Sequence, residues 1–246
     1  MFRIHHPQRA ACALLACALL LVLALPSVTL AQPDSRAFEA NGFSIDDNAI
    51  WAFFEQHGGV ATFGQPISST LTLFDQPTQV FDDAALQVQA DGSVQVMPLT
   101  SQDLLPYTHF DGLTVPAADP ATLYVAPTPD QPNFAARQQL YVQALVREPF
   151  LSAYNALDGS TLLGLPTSSA KPDPNNPNFV YQRFQNGILF YDGTSGTTRV
   201  LPLGEYLKAV LTGQGLPSDL SAEAASSPLL NRYAGDEAFV PEPGEL

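Results

Sequence analysis

Downstream of residue 31 the chain has two histidines, His57 and His109, in unrelated local settings. General acid–base work needs an imidazole with an orienting partner. No His-Glu-x-x-His, no Gly-x-Ser-x-Gly, no phosphate loop and no dinucleotide fingerprint supplies one. His57 precedes Gly58-Gly59, so it reads as a helix end, where an imidazolium meets the negative pole of the helix dipole. Asp82 and Asp83 are adjacent, and on a strand their side chains would point to opposite faces, unable to share a substrate. A pair made by Glu55 with Asp82 or Asp192 would suit glycoside hydrolysis, but it needs a defined separation that no motif sets. Asp91-Gly92 and Asp192-Gly193 lack the liganding series of a calcium loop and read as turns. The expectation is a non-enzyme with no catalytic residue, metal or cofactor.

Composition narrows the field further. Both cysteines, Cys12 and Cys17, fall within the first 31 residues, so residues 32–246 contain no thiol. Disulfide frameworks, Cys-ligated zinc, iron–sulfur clusters and thiol nucleophiles are excluded there. Residues 32–246 carry 24 carboxylates against eight Lys and Arg, and such a field repels polyanions. No nucleic-acid partner is expected.

Residues 1–31 combine Arg3 and Arg9, an apolar run from Ala10 to Leu25, a break at Pro26, and Thr29-Leu30-Ala31 before Gln32. That pattern predicts a secretory signal peptide. An uncleaved anchor is the alternative, although the run is shorter than the roughly 20 residues a spanning helix requires. A lipid-modified Cys17 fits less well, because the apolar run continues past it. The reading is export, to a secreted or envelope-associated location, with no membrane contact after cleavage.

The remainder compares with itself. Ile50 to Gly59 lies over Phe150 to Gly159, and Phe63-Gly64-Gln65-Pro66-Ile67-Ser68-Ser69 over Leu163-Gly164-Leu165-Pro166-Thr167-Ser168-Ser169, both at an offset of 100. Gln79-Val80-Phe81 then matches Gln182-Arg183-Phe184, and Val96-Met97-Pro98-Leu99 matches Val200-Leu201-Pro202-Leu203. In the first copy Ser44, Asp46 and Asp47 can start a helix, with Ile50, Phe53, Phe54 and His57 along one face and Gly58-Gly59 as its stop. In the second, Phe150, Tyr154 and Leu157 repeat the spacing between Pro149 and Gly159. A Gly/Pro turn and about three short antiparallel strands follow each helix. Their turns are Asp91-Gly92 in the first copy, Asn186-Gly187 and Asp192-Gly193 in the second. A unit of roughly 50 residues cannot bury enough apolar area alone, so the two must share a core or recruit flanking helices. Helices are expected at Phe134 to Arg147, with Leu140, Ala144 and Leu145 as the apolar stripe, and at Leu203 to Thr212.

The predicted class is α+β, with two similar units and flanking helices. The divisions are a signal peptide 1–31, a linker 32–43, unit 1 at 44–114, a Pro-rich extended connector 115–132, helix plus unit 2 at 133–213, and an acidic mobile tail 214–246. Leu163-Gly164-Leu165-Pro166-Thr167-Ser168 with Tyr181-Gln182-Arg183-Phe184-Gln185-Asn186-Gly187-Ile188 resembles the LGFP-type repeats of exported bacterial proteins, and Trp51 to Ser69 is similar to related segments. The resemblance spans about half of residues 32–246, and it implies non-catalytic attachment to, or action beside, the cell wall. Unit 1 departs from it where Asp82-Asp83-Ala84-Ala85 replaces Gln185-Asn186-Gly187-Ile188.

The remaining chemistry is recognition. Phe179, Tyr181, Phe184, Phe190 and Tyr191 concentrate aromatics in one hairpin beside planar polar groups, a combination that can stack on sugar rings and bond their hydroxyls, or, as the alternative, form the core under helices at Phe150 to Leu157 and Leu203 to Leu211. Tyr181, Gln182, Arg183, Gln185, Asn186 and Tyr191 are the expected ligand-binding residues, with the four polar ones facing solvent. The expected partner is a cell-wall or extracellular glycan, or another surface protein. A scaffold without a small ligand and an uncharacterised hydrolase are the competing readings.

Overall fold

The computed structural model describes residues 36–101, 104, 108–110 and 112–241, and the predicted signal segment lies outside them. The chain is an α+β protein whose larger sheets are antiparallel. A short hairpin, β1 (Ala37–Phe38) and β2 (Phe43–Ser44), leads into helices α1 (Asn48–Gln56) and α2 (Val60–Phe63). A four-stranded sheet follows, β3 (Leu71–Leu73), β4 (Gln76–Val80), β5 (Ala85–Val88) and β6 (Val94–Val96), in sequential order. Then come the hairpin β7 (His109–Phe110) and β8 (Leu113–Thr114), and helices α3 (Pro120–Tyr124) and α4 (Phe134–Leu145). Next are α5 (Phe150–Ala156) and α6 (Gly159–Leu162), before a second sequential four-stranded sheet of β9 (Lys171–Pro172), β10 (Phe179–Arg183), β11 (Ile188–Asp192) and β12 (Thr197–Val200). Helices α7 (Leu203–Thr212) and α8 (Ser218–Ala224) and a 3₁₀ turn at Glu237–Phe239 complete the chain.

Local chemistry explains the elements. Asp47 caps α1, its Oδ1 accepting from the N–H groups of Ala49 (2.8 Å) and Ile50 (3.0 Å), which otherwise have no helical partner. Ser44 belongs to β2 rather than to the helix start. Ile50 and Phe54 are the buried stripe of α1, each contributing roughly 1.5–3 kcal/mol by leaving water. Gly58-Gly59 and Asp158-Gly159 do not simply terminate helices. They turn the chain through positive φ at Gly58, Gly59 and Asp158 into the one-turn helices α2 and α6.

Both four-stranded sheets are packed on both faces over their central strands, while Thr72, Pro77, Gln95, Lys171 and Arg199 stay exposed. Leu71, Leu73, Val80, Ala85, Tyr181, Ile188 and Leu201 pack in one apolar cluster with α7, α8 and the C-terminal segment. Phe81, Leu86, Val96, Phe184 and Leu189 pack in the other with α1, α4 and α5. Each cluster draws on both halves, so the halves share their cores.

The same hydrogen bonds recur in both halves. Gln79, fully buried, donates from Nε2 to the carbonyls of Ser44 (2.7 Å) and Ser68 (2.9 Å). Gln182, also fully buried, donates to those of Leu145 (3.2 Å) and Ser168 (3.1 Å). Ser68 Oγ accepts from Val80 N–H, and Ser168 Oγ from Arg183 N–H. Phe54 stacks on Phe81 at 5.3 Å between centroids, and Tyr154 on Phe184 at 5.5 Å. Tight turns follow, closed by Phe81 N–H to Ala84 O and Phe184 N–H to Gly187 O.

Each turn is covered from the opposite half. Thr100 Oγ1, just past β6, lies 2.7 Å from Phe184 O and 2.6 Å from Gln185 O. Glu205 N–H, just past β12, donates to Asp82 O at 3.2 Å. Beside it Gly204 sits so close that a Cβ would stand 1.7 Å from Phe81 O.

Three expected boundaries change. The described part of linker 32–43 carries β1, whose Ala37 and Phe38 pair with Ser44 and Phe43. Connector 115–132 is not simply extended, because Asp119 caps α3 with Pro120 at its first turn. The tail, through residue 241, is docked rather than loose: Leu220, Ala224, Leu229 and Phe239 are buried, and Ser69 N–H donates to Ala238 O at 2.7 Å. Its apolar contacts run from Leu220 to Phe239 and include Leu229, Leu230 and Tyr233, the residues of the tail that the sequence offers for docking.

Gly204→Ala should lower unfolding stability by about 2–4 kcal/mol, because rigid backbone must move to admit the methyl. Gly92→Ala, at a φ of 83° with open space around it, should cost only about 1 kcal/mol. Chemical denaturation of the two variants reads the difference.

Candidate functional site

The hairpin expected to bind ligand is β10–β11, paired from Phe179↔Asp192 to Arg183↔Ile188. Its interior residues do not reach solvent. Tyr181 is 1% exposed, Gln182 0% and Arg183 4%, which overturns the expectation that Gln182 and Arg183 face outward. Apolar layers cover both faces of the sheet, so strand alternation offers no wet side. Arg183 donates from Nη2 to Thr100 O (2.7 Å) and from Nη1 to Pro116 O (3.3 Å), tying three segments together. Gln185 is exposed, yet its Oε1 accepts from Leu165 N–H at 2.9 Å. Asn186 and Tyr191 are partly exposed. Asn186 lies in the tight turn, and Tyr191 lies on β11 opposite Val180.

The titratable groups are drawn into structural bonds. His57 Nδ1 lies 2.8 Å from Asp158 Oδ2, joining the end of α1 to the start of α6. His109 Nδ1 lies 2.9 Å from Glu223 Oε1, and its side chain is half exposed. Around it, Glu223 Oε2 accepts from Thr108 N–H, Asp219 Oδ2 from Gly112 N–H, and Asp173 Oδ2 from Thr114 N–H. Burial pushes Glu223 upward, but hydrogen bonds from Thr108 and His109 outweigh it and hold the carboxyl below its ordinary range. Asp219 and Glu223 clamp the β7–β8 hairpin onto α8, and Asp173 ties β8 to the segment after β9. Among the described residues, no cluster of three or more His, Cys, Asp or Glu has the geometry to hold a metal ion.

Asp82 and Asp83 occupy a bend between β4 and β5, so the opposite-face argument made for a strand does not apply. Asp82 Oδ2 accepts from Gln65 N–H at 2.7 Å. Burial first, then the charges of Asp82 and Glu205, pushes the Asp83 carboxyl up to about 7. A carboxyl with a raised folded-state value favours folding while protonated and opposes it once ionised.

The surface with recognition chemistry lies on α3 and α4. Leu123, Tyr124, Val125 and Leu140 are 48%, 88%, 63% and 67% exposed, and Tyr124, Val125 and Leu140 line one groove. Exposed apolar patches of this kind mark contact sites more often than stray surface residues do. A groove of about 370 Å³ runs among Tyr124, Val125, Pro127, Gln131, Arg137 and Leu140. Arg137 Nη1 donates to Gln131 Oε1 at 2.8 Å, which holds the guanidinium and the amide in one place. The base is fixed by Tyr141, whose hydroxyl lies 2.9 Å from Thr122 O and 3.1 Å from Pro166 O. Asp119 N–H donates to Thr167 O at 2.7 Å, anchoring the start of α3.

The sequence reading missed this groove for two reasons. The stripe of α4 was phased one residue early: Tyr141 and Val142 point inward, and Leu140 and Ala144 face solvent. Proline density in 115–132 also outweighed the Asp119-Pro120 helix-start signal that was present there.

Arg183→Ala should destabilise the fold by about 2–4 kcal/mol, by stranding the carbonyls of Thr100 and Pro116, and circular-dichroism melts will show it. Asp83→Asn should raise stability by about 2 kcal/mol above pH 7 and have little effect near pH 4. It should also flatten the decline that Asp83 ionisation imposes as pH rises from about 4 to 7. Denaturation across that pH range tests the sign.

Neither the known protein families nor the curated proteins contain a match to this chain.

Proposed function

We propose that the protein is an exported, non-catalytic binding module of the cell envelope or extracellular space, and that it recognises a glycan through the α3–α4 groove. The observation that carries this reading is Tyr124, 88% exposed beside Val125 and Leu140, with the Gln131–Arg137 pair at the same groove. A sugar presents axial C–H groups that stack on an aromatic face and hydroxyls that need planar donors and acceptors. Tyr124 supplies the first, Gln131 and Arg137 the second. The predicted signal peptide and the resemblance to LGFP-type repeats point to the same compartment and class of partner. The excess of carboxylates argues against direct attraction to anionic wall polymers and favours an uncharged saccharide.

Retention on insoluble peptidoglycan, in a sedimentation assay with the protein corresponding to residues 32–246, tests the reading. Wild type should co-sediment, and Tyr124→Ala should weaken binding by about tenfold or more, the scale of one lost aromatic contact. Because Tyr124 is exposed, its melting temperature should stay within about 2 °C of wild type. Undiminished binding by Tyr124→Ala would move the site elsewhere. No binding by wild type, to peptidoglycan or to a panel of neutral polysaccharides, would leave the scaffold reading in its place.

A further inference from the structure

The sequence has two Asn-Gly steps, Asn41-Gly42 and Asn186-Gly187. Such a step can modify itself. The glycine nitrogen, with no Cβ beside it, can reach the asparagine Cγ and close a five-membered ring. Whether it does so depends on which reacting atoms are already held in hydrogen bonds, and the fold treats the two steps in opposite ways.

Asn41-Gly42 is held at every reacting atom. Asn41 Nδ2 donates to Pro66 O (2.7 Å) and Gln65 Oε1 (3.1 Å), and its Oδ1 accepts from Phe43 N–H (3.2 Å). Gly42 N–H, the nucleophile, donates to Phe38 O at 2.9 Å. At Asn186-Gly187, neither the Asn186 carboxamide nor Gly187 N–H has a hydrogen-bond partner among the described residues. Asn186 is partly exposed, and its carboxamide lies over Gly164, where a Cβ would stand 3.5 Å from Nδ2. Gly187 is buried, yet no hydrogen bond has to break before its nitrogen turns toward Cγ. The turn around the pair is fixed, with Asn186 N–H donating to Leu163 O and Phe184 N–H to Gly187 O, both at 2.9 Å.

The first half shows that this place accepts the product. Asp83 stands where Asn186 does, its N–H donating to Phe63 O at 3.1 Å as that of Asn186 donates to Leu163 O. Asp82 Oδ2 takes the N–H of Gln65 as Gln185 Oε1 takes that of Leu165. A carboxyl group at position 186 therefore has a counterpart in the same fold.

We propose that Asn186 is a modification site: in the folded protein it deamidates spontaneously through a succinimide closed by the Gly187 nitrogen, while Asn41 is protected. The Gly187 nitrogen gives up its proton to solvent and bonds to Asn186 Cγ. The Cγ–Nδ2 bond breaks, and the amide nitrogen leaves as ammonia, taking a proton from solvent. Water then adds to one of the two ring carbonyls and opens the ring, giving aspartate or isoaspartate. In isoaspartate the main chain runs through Cγ and is one atom longer, within the turn that Thr100 Oγ1 covers. Water is the sole co-reactant. The proposal uses no residue of the α3–α4 groove, and neither reading depends on the other.

Incubation of the folded protein corresponding to residues 32–246 at 37 °C and pH 8, followed by peptide mapping with mass spectrometry, tests this. The peptide containing Asn186 should gain about 1 Da and become a substrate for an isoaspartyl methyltransferase. It should do so about tenfold or more faster than the peptide containing Asn41, where hydrogen bonds must break first. The reaction should slow at pH 6, where the amide nitrogen loses its proton less often. In urea, where both steps lose their bonds, the two rates should converge. Asn186→Gln, which would need a six-membered ring, should abolish the gain, and thermal melts confirm that the variant folds. Asn186→Asp, carrying the product's side chain, should show no gain either and serves if glutamine disturbs the turn. An Asn186 that stays intact in the folded protein while the urea-unfolded chain is modified, an Asn41 that reacts as fast as Asn186, or a gain at this turn that persists in the variants would overturn the proposal.

Discussion

Two tight turns, Phe81 to Ala84 and Phe184 to Gly187, place backbone carbonyls where water cannot freely reach them, and an uncovered carbonyl in that setting costs about 1–3 kcal/mol. Each turn is completed by residues from the other half of the chain. Thr100 covers one with a hydroxyl, and Gly204-Glu205 covers the other with bare backbone and an N–H. The two solutions differ chemically but do the same work. Most of the architecture follows from this exchange, because β6 and β12 must each end beside the partner half for it to occur.

The polar residues at the centre of the protein are subordinate to that exchange. Gln79 and Gln182 are fully buried amides bridging backbone carbonyls, and Arg183 spans Thr100 and Pro116. In a hairpin exposed on one face these side chains would have been available to a ligand. Packed between two apolar layers they act as internal struts. The large side chains left accessible lie instead at the periphery, on α3 and α4, where Tyr124 and Leu140 stand in water.

How far the sequence was readable depended on whether the signal was local. The strands around Asp91-Gly92 and Asn186-Gly187 fell where turn chemistry and alternation put them, and Leu203 to Thr212 is helical with its full apolar stripe inside. The α+β class followed from these elements. Burial of Gln182 and Arg183 was not readable, because these two neighbours on a strand point to opposite faces and nothing within Phe179 to Arg183 shows that both faces are covered. Covering depends on how α4, upstream of the sheet, and α7, directly after β12, pack against its two faces, which the strand itself does not encode. The phase of α4 was ambiguous for a related reason: Leu140 and Tyr141 are neighbours, and either could lead an inward stripe. The candidate groove was invisible as a site, since it joins residues of the connector to residues of a helix whose face had been assigned the other way.

The reciprocal latch also governs the order of assembly. Residues 36–100 reach the ribosome exit more than a hundred codons before Gly204 and Glu205, the groups that seal the first turn. Until those residues emerge the early half has a gap in its hydrogen bonding and only part of each apolar cluster. Folding should therefore be a late, concerted event rather than a domain-by-domain one. Until the chain reaches Gly204 and Glu205, the carbonyls of Phe81 and Asp82 stand open to water.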